Sequence, residues 1–130
     1  RHYSAKKNVR YRRSSSMNFV AAGQPMVLLT QGCDALFVWL RNTVERYDRQ
    51  TGICCTVFRN ESVVRSSDLI QEADHMAWAK WPGQRHFTYV DPSEVRSSNP
   101  GYCFLCAGWV RLPERSKEQG LMLFERLPNT

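Results

Sequence analysis

Residues 53–91 have the sequence ICCTVFRNESVVRSSDLIQEADHMAWAKWPGQRHFTYVD, which predicts a strand, a helix and a second strand in succession. The first six residues are all apolar or β-branched, which is typical of a central strand covered on both faces. From Ser66 onward, apolar residues recur at spacings of three and four, the pattern of an amphipathic helix. WPG ends this helix, and HFTYV predicts a short strand that stops at Asp91.

The segments on either side of this unit extend the pattern. Before it, MVLLT and ALFVWL are strand-like runs separated by the turn-rich QGCD, which predicts a hairpin. After it, Asn99 predicts the cap of a second helix and Gly108 its end. Residues 109–112 and 121–127 predict two closing strands. The expected order β-β-β-α-β-α-β-β is a mixed sheet with two main helices, of α/β or α+β class, in one domain over residues 1–130.

The net charge of +6 is concentrated at the start of the chain. The remainder after residue 13 has 12 basic and 12 acidic side chains, which cancel. A basic arm, residues 1–16, therefore holds the excess, as expected of a segment that contacts a polyanion. The candidate nucleic-acid contacts are its cationic side chains Lys6, Lys7, Arg10, Arg12 and Arg13. A solvated tail is the alternative.

Cysteine content and hydropathy set the expected compartment. The odd count of five cysteines argues against a disulfide framework. Cys103 and Cys106 form a C-x-x-C motif, but a zinc site would need a second ligand pair, so core filling is the expectation. No apolar run approaches the roughly 18 residues that cross a bilayer, and no signal peptide is apparent. We therefore expect a cytoplasmic protein with no membrane partner.

The order of elements is similar to the GNAT fold of acyltransferases, in which a sheet split in its centre binds an acyl donor between two diverging strands. The segment NPGYCFLCAGWVRL strengthens the resemblance. In GNAT proteins an Asn opens this helix, an aromatic residue follows, and a Gly-aromatic pair leads into the next strand. Asn99, Tyr102, Gly108 and Trp109 occupy those places.

A narrower resemblance covers nearly the whole chain. RHYS, MVLLT, FRNE, SSDLI, TYVDP and NPGYCF, in this order, resemble the phage Mom-like proteins, which modify adenine in DNA. The resemblance implies a transferase that attaches an acyl or acetamido-type group to adenine N6, encoded by a phage or prophage and serving anti-restriction in a bacterial host. It implies His2, Asp91 and Tyr102 as site residues. It points less directly to Arg59 and to Ser66 or Ser67.

The identity of the acyl donor is left undecided, because the sequence differs from that of the acetyl-CoA enzymes at one loop. Those enzymes hold the donor pyrophosphate on a glycine-rich loop before a helix. RNESVVRSSDL, which occupies that place, has no glycine. The alternatives are an acyl-CoA and an aminoacyl-tRNA, and the basic arm suits DNA or tRNA as partner. The oligomeric state is also open, a dimer included.

The chemistry of N6 modification assigns roles to these residues. Adenine N6 is a poor nucleophile, so His2 or Asp91 would act as base and Tyr102 would protonate the leaving group. Arg59 would hold a phosphate or an oxyanion. Alternatively, His2 and Asp91 would bind a metal ion together with a further ligand, and the resemblance to the Mom-like proteins implies Fe(II). Two ligands alone do not identify a metal. Because N6 is engaged in base pairing, the adenine must be flipped out or single-stranded.

Each candidate also has a plainer interpretation. His2 is near the terminus, Asp91 precedes a proline and can start a turn, and Tyr102 can be a packing residue. Ser66 and Ser67 can cap the helix, and Arg59 can pair locally with Glu61. Two alternative functions follow: a nucleic-acid-binding GNAT scaffold without catalysis, and an acyl-CoA-dependent N-acetyltransferase.

Overall fold

The computed structural model describes residues 11–13, 23–43, 46, 48–94, 100–115 and 120–128. This part of the chain is a mixed α+β structure of one sheet and two α-helices, as expected from the sequence. Its elements are β1 (Tyr11–Arg13), β2 (Gly23–Thr30), β3 (Ala35–Asn42), β4 (Ile53–Asn60), α1 (Ser66–Lys80), β5 (His86–Val90), a short 3-10 helix (Pro92–Glu94), α2 (Tyr102–Cys106), β6 (Val110–Arg115) and β7 (Met122–Arg126).

The strands form a single sheet in the order β1-β2-β3-β4-β5-β7-β6. Neighbouring strands are antiparallel except β4 and β5, which are parallel and are connected through α1. This parallel pair is short: Ile53–Cys55 pairs with His86–Thr88. β4 continues to Asn60 and β5 to Val90, so the carboxyl-terminal halves of the two strands lie outside the paired register.

The first strand is a departure from the expected order. No strand is expected in the basic arm from its sequence, yet Tyr11–Arg13 pairs antiparallel with the end of β2. The edge of β2 offers backbone N–H and C=O groups that any extended segment can pair with, regardless of its side chains. The end of the arm is thereby tied to the edge of the sheet.

The main core lies between one face of the sheet and both helices. Its cluster of buried residues includes Trp39, Leu69, Phe104, Trp109 and Phe124. A smaller cluster on the other face contains Cys54, Phe87 and Leu123. Burial of Ile53, Cys54 and Cys55 confirms that β4 is covered on both faces over its first half, whereas Thr56 is exposed.

Helix α1 has the expected apolar stripe but not the expected cap. Leu69, Ile70, Ala73 and Ala77 are buried, which confirms the amphipathic pattern. Arg65 is the N-cap, in extended conformation, and no side chain caps the helix. The expectation that Ser66 or Ser67 caps α1 is therefore wrong, because the helix starts early enough to include both.

Helix α2 has 5 residues, which is about one and a half turns. Its N-cap is Gly101, whose φ of 80° is in the left-handed region that favours glycine. Gly108, with a φ of 99°, follows the C-cap Ala107, so the expected exit is confirmed. The prediction of Asn99 as the cap is wrong, because α2 begins at Tyr102 and Gly101 is its N-cap; Asn99 itself lies outside the described residues. No helix among the described residues is long and apolar enough to span a membrane.

Candidate functional site

Asp91 is the first residue after β5, where the sequence places it. Its Oδ1 accepts hydrogen bonds from the backbone N–H of Ser93 at 3.0 Å and from the Ser93 hydroxyl at 2.7 Å. These bonds begin the short 3-10 helix, so the interpretation of Asp91 as a turn starter is confirmed. Both bonds use the same oxygen, and they fix the orientation of the carboxylate without consuming Oδ2.

Tyr102 is the first residue of α2, and its side chain is 57% exposed. More than half of the side chain is thus in contact with solvent. The pKa of the Tyr102 phenol is raised, and the main cause is Cys106, one helical turn later. The phenol keeps its proton at neutral pH, which is the state that a proton donor requires.

The start of α2 lies against β7. A Cβ on Gly101 would overlap the ring of Phe124, so Gly101 lies directly on that side chain. Phe124 pairs with Thr88, the middle residue of β5, three residues before Asp91. Tyr102 therefore begins its helix beside β7, the neighbour of β5 in the sheet.

The β4–α1 loop is organised by Asn60, a residue that sequence reasoning missed. Asn60 Nδ2 donates to the Val64 carbonyl at 2.8 Å and to Ser66 Oγ at 2.9 Å. Its Oδ1 accepts from the N–H and the hydroxyl of Ser62 at 2.9 and 2.6 Å. One amide thus folds the loop and aligns the first turn of α1. The only local indication is an Asn placed between a strand and a helix.

The other predicted site residues near the β4–α1 loop are Ser66, Ser67 and Arg59. Ser66 accepts the bond from Asn60, and Ser67 is buried. Arg59 Nη2 is 3.2 Å from Glu61 Oε2, and both side chains are more than 70% exposed. The interpretation of Arg59 as part of a local surface pair is confirmed, and such an exposed pair adds little stability. Arg59 is therefore available to another anion.

Several predicted residues cannot be placed. His2, Lys6, Lys7 and Arg10 lie outside the described residues, and only the backbone of Arg12 and Arg13, on β1, is described. Of the predicted trio of His2, Asp91 and Tyr102, Asp91 directly follows β5 and Tyr102 is the first residue of α2. In the described ranges, no three His, Cys, Asp or Glu side chains are grouped so that they would hold a metal ion. Fe(II) binding by His2 and Asp91 stays a prediction.

A buried charged cluster at the other end of β5 was missed by sequence reasoning. We call it the Asp74 cluster, and its members are Asp74, His86, Trp109 and Arg126. Asp74 and His86 are fully buried, and His86 Nδ1 is 2.7 Å from Asp74 Oδ1. Trp109 Nε1 donates to Asp74 Oδ2 at 3.0 Å, and Arg126 Nη1 is 3.6 Å from the same oxygen. One carboxylate thus connects α1, β5, the start of β6 and β7.

Aromatic rings enclose the imidazole of this cluster. The ring of Trp78 stacks on His86 with centroids 4.3 Å apart, and that of Trp39 lies at 4.4 Å. Because donors surround Asp74, its carboxylate acts as acceptor, and His86 Nδ1 carries the hydrogen. His86 Nε2 is buried without a hydrogen-bond partner in the described part of the chain. Its enclosure keeps substrate away, so the Asp74 cluster is an anchor for the fold.

A third polar group lies on the opposite face of the sheet. Arg46 makes a two-bond ion pair with Asp48 at 2.9 and 2.8 Å, and the Tyr89 hydroxyl donates to Asp48 at 3.1 Å. The Arg46 bond lowers the pKa of Asp48 to about 2. Burial, then the Asp48 charge, raises the pKa of Tyr89 to about 12. These groups hold the β3–β4 loop over Phe87, whose ring also lies below Arg46.

Comparison of the chain with known proteins found no matching family model, no matching curated protein and no matching solved structure.

Proposed function

We propose that the chain is a GNAT-like transferase of the phage Mom type, which attaches an acyl or acetamido-type group to adenine N6 in DNA. The main support is the parallel β4–β5 pair. Its two strands are paired over three residues only, and α1 and Asp91 follow their carboxyl ends. Beyond Cys55 and Thr88 the two strands pair with β3 and β7 but not with each other, and their facing edges provide a place for the amide or ester of an acyl donor.

Asp91 and Tyr102 are the residues that act on the reacting atoms. Ser93 fixes the Asp91 carboxylate through one oxygen, which leaves the other to accept the proton of the attacking N6 amine. Tyr102 is exposed and holds its proton, so it can protonate the leaving group. His2 is the alternative base.

The donor contacts the start of α1. This helix end has no side-chain cap, and backbone N–H groups in a first helical turn attract anions. Arg59 and Arg65 lie on either side of the β4–α1 loop and are exposed, so they complement a phosphate. Asn60 folds this loop in place of the glycines of acetyl-CoA enzymes. An aminoacyl-tRNA and an acyl-CoA both carry such a phosphate.

The DNA contacts the basic arm. β1 ties the backbone of Arg12 and Arg13 to the edge of the sheet, and the other cations of the arm come shortly before them in the sequence. Electrostatic contacts of this kind bind the phosphate backbone without reading the base sequence. The target adenine must leave the base stack before Asp91 can reach N6.

Nucleoside analysis tests this function. The protein is expressed in bacteria, the plasmid DNA is digested to nucleosides, and the adenosines are measured by mass spectrometry. We expect a heavier adenosine with the wild type and with Tyr89→Phe, which loses a phenol on the opposite face. Tyr102→Phe is expected to lose most of it. Equal amounts of heavier adenosine from both Tyr→Phe variants would contradict the role of Tyr102.

A nucleic-acid-binding module without catalysis is the second candidate. It is favoured by the hydrogen bonds of Asp91, which a simple turn explains in full, and by the loop without glycine. It predicts salt-dependent DNA binding that is unchanged in Asp91→Ala and Tyr102→Ala, with no new nucleoside. An acyl-CoA-dependent N-acetyltransferase would instead bind acetyl-CoA, which isothermal titration calorimetry measures directly.

A further inference from the structure

The two cysteines of the C-x-x-C motif are unequal. Cys103 is half-buried and packs against the main core, whereas Cys106 is exposed. Core filling is therefore confirmed for Cys103 and wrong for Cys106. Burial also raises the pKa of the Cys103 thiol. An oxidant in solution meets Cys106 first.

Helical spacing brings the two thiols within reach of each other. In an α-helix, residues three apart have Cα atoms about 5 Å apart. Disulfides span Cα distances of about 4.4–6.8 Å, so a bond between these cysteines needs little movement of the backbone. Both residues lie within α2, and both are free thiols.

We propose that Cys103 and Cys106 form a redox pair that a peroxide converts to a disulfide, with Cys106 attacked first and Cys103 resolving. The Cys106 thiolate attacks one peroxide oxygen, the O–O bond breaks, and hydroxide leaves, which gives a sulfenic acid on Cys106. The Cys103 thiolate then attacks the Cys106 sulfur, the S–S bond forms, and a second hydroxide leaves. In total, two thiols and one peroxide give one disulfide and two waters.

The other cysteines supply internal comparisons. Cys54 and Cys55 are adjacent and buried, and burial raises the pKa of Cys54 to about 11 and that of Cys55 well above its ordinary value. Buried thiols of this kind are inert. Cys33 is exposed in the β2–β3 turn. Oxidation to a disulfide therefore selects the α2 pair.

Oxidation changes the surroundings of Tyr102. Cys106, one helical turn later, is the main cause of the raised pKa of the Tyr102 phenol. A disulfide removes the Cys106 thiol, so the pKa of the phenol falls toward its ordinary value. This consequence for transfer rests on the proposed function, whereas the disulfide itself does not. We expect the amount of modified adenine to differ between oxidised and reduced protein, and a dithiol reductant to restore the reduced level.

Peptide mapping of the full chain tests the redox pair without any activity. The protein is treated with equimolar hydrogen peroxide, denatured, alkylated with iodoacetamide and digested with trypsin. Cleavage after Arg96 and Arg111 places both α2 cysteines on one peptide, while Cys54 and Cys55 lie on another. We expect the 97–111 peptide to lose two hydrogens and resist alkylation, and the Cys54–Cys55 peptide to be alkylated twice. Full alkylation of both cysteines in 97–111 would overturn the proposal.

Two variants test the order of attack. In Cys103→Ser, Cys106 is expected to form a sulfenic acid, which dimedone traps, and no disulfide. In Cys106→Ser, Cys103 is expected to stay reduced under the same dose, because it is shielded. Oxidation of Cys103 in Cys106→Ser at the wild-type rate would contradict the assigned roles. Both substitutions replace a thiol by a hydroxyl and change nothing else. Circular dichroism spectra check that both variants are folded.

Discussion

The two ends of β5 carry polar residues in opposite environments. At the amino end, His86 is fully buried, and its imidazole contacts Asp74 and two tryptophan rings. At the carboxyl end, Asp91 is half-buried, and among the described residues its side chain is bonded to Ser93, two positions later. Tyr102, at the start of α2, is exposed. Groups held by distant segments stabilise the fold, whereas groups held locally stay available to a substrate. The first end is an anchor, and the second is where we propose that the chemistry takes place.

Removal of the Asp74 carboxylate is expected to have the largest effect on stability. Asp74→Ala deprives Trp109 Nε1 and His86 Nδ1 of their acceptor and leaves Arg126 without its buried counter-charge. Breaking a buried pair in this way costs about 3–5 kcal/mol. Urea unfolding followed by circular dichroism measures the loss. His75→Ala, at the exposed neighbouring position, is the control and is expected to change stability by about 0.5 kcal/mol or less. Similar losses in both variants would contradict the anchor.

The contacts of the Asp74 cluster could not be predicted from the sequence. Strand and helix periods, together with loop residues, are local, so the order of elements, Asp91 after β5 and Tyr102 in α2 could be predicted. Asp74 lies on α1 and Arg126 on β7, 52 positions later in the chain, and neither has a local pattern that reveals its partner. His86 opens a strand like many polar residues. Only the fold brings these side chains together, and the same holds for the Arg46–Asp48–Tyr89 group.

Gly101 is expected to show the next largest effect, at the site end. An alanine there would have a strained φ of about 80° and its Cβ would overlap the Phe124 ring. Strain of this kind costs about 1–3 kcal/mol, and overlap adds to it. Gly83→Ala is the matched control, since it has a φ of 75° but open space around the added Cβ. We expect Gly101→Ala to lower the free energy of unfolding more than Gly83→Ala. If both variants lost the same free energy of unfolding, the Phe124 ring would be able to move away from the added Cβ, and its contact with Gly101 would not position α2.

The Asp48 ion pair predicts a pH dependence of intermediate size. Arg46 lowers the pKa of Asp48 from 3.8 to about 2, so the folded state binds fewer protons than the unfolded chain between these values. Its contribution is full above pH 3.8 and is lost as the pH falls to about 2. We expect the urea midpoint of the wild type to fall more steeply than that of Asp48→Asn over this range. If the urea midpoints of the two proteins fell equally over this pH range, the ion pair between Arg46 and Asp48 would not be the source of the pH dependence.

Arg59 is expected to show the smallest effect on stability. Its pair with Glu61 is exposed, so Arg59→Ala changes the free energy of unfolding by about 0.5 kcal/mol or less. If Arg59 holds the donor phosphate, the same variant lowers the amount of modified adenine. Glu61→Ala is the control, because it breaks the same pair and leaves the cation free. Equal modification by the two variants would exclude Arg59 from the donor site.

Asp91→Asn tests most directly whether the carboxyl end of β5 carries out chemistry. The amide oxygen of Asn still accepts the two bonds from Ser93, so the turn is kept while the base is lost. Modified adenosine and the urea midpoint are measured for the wild type and for Asp91→Asn expressed side by side. If Asp91 is the base, we expect a heavier adenosine from the wild type, its loss in Asp91→Asn and the same urea midpoint for both proteins. A heavier adenosine that persists in Asp91→Asn, or none from the folded wild type, would contradict it.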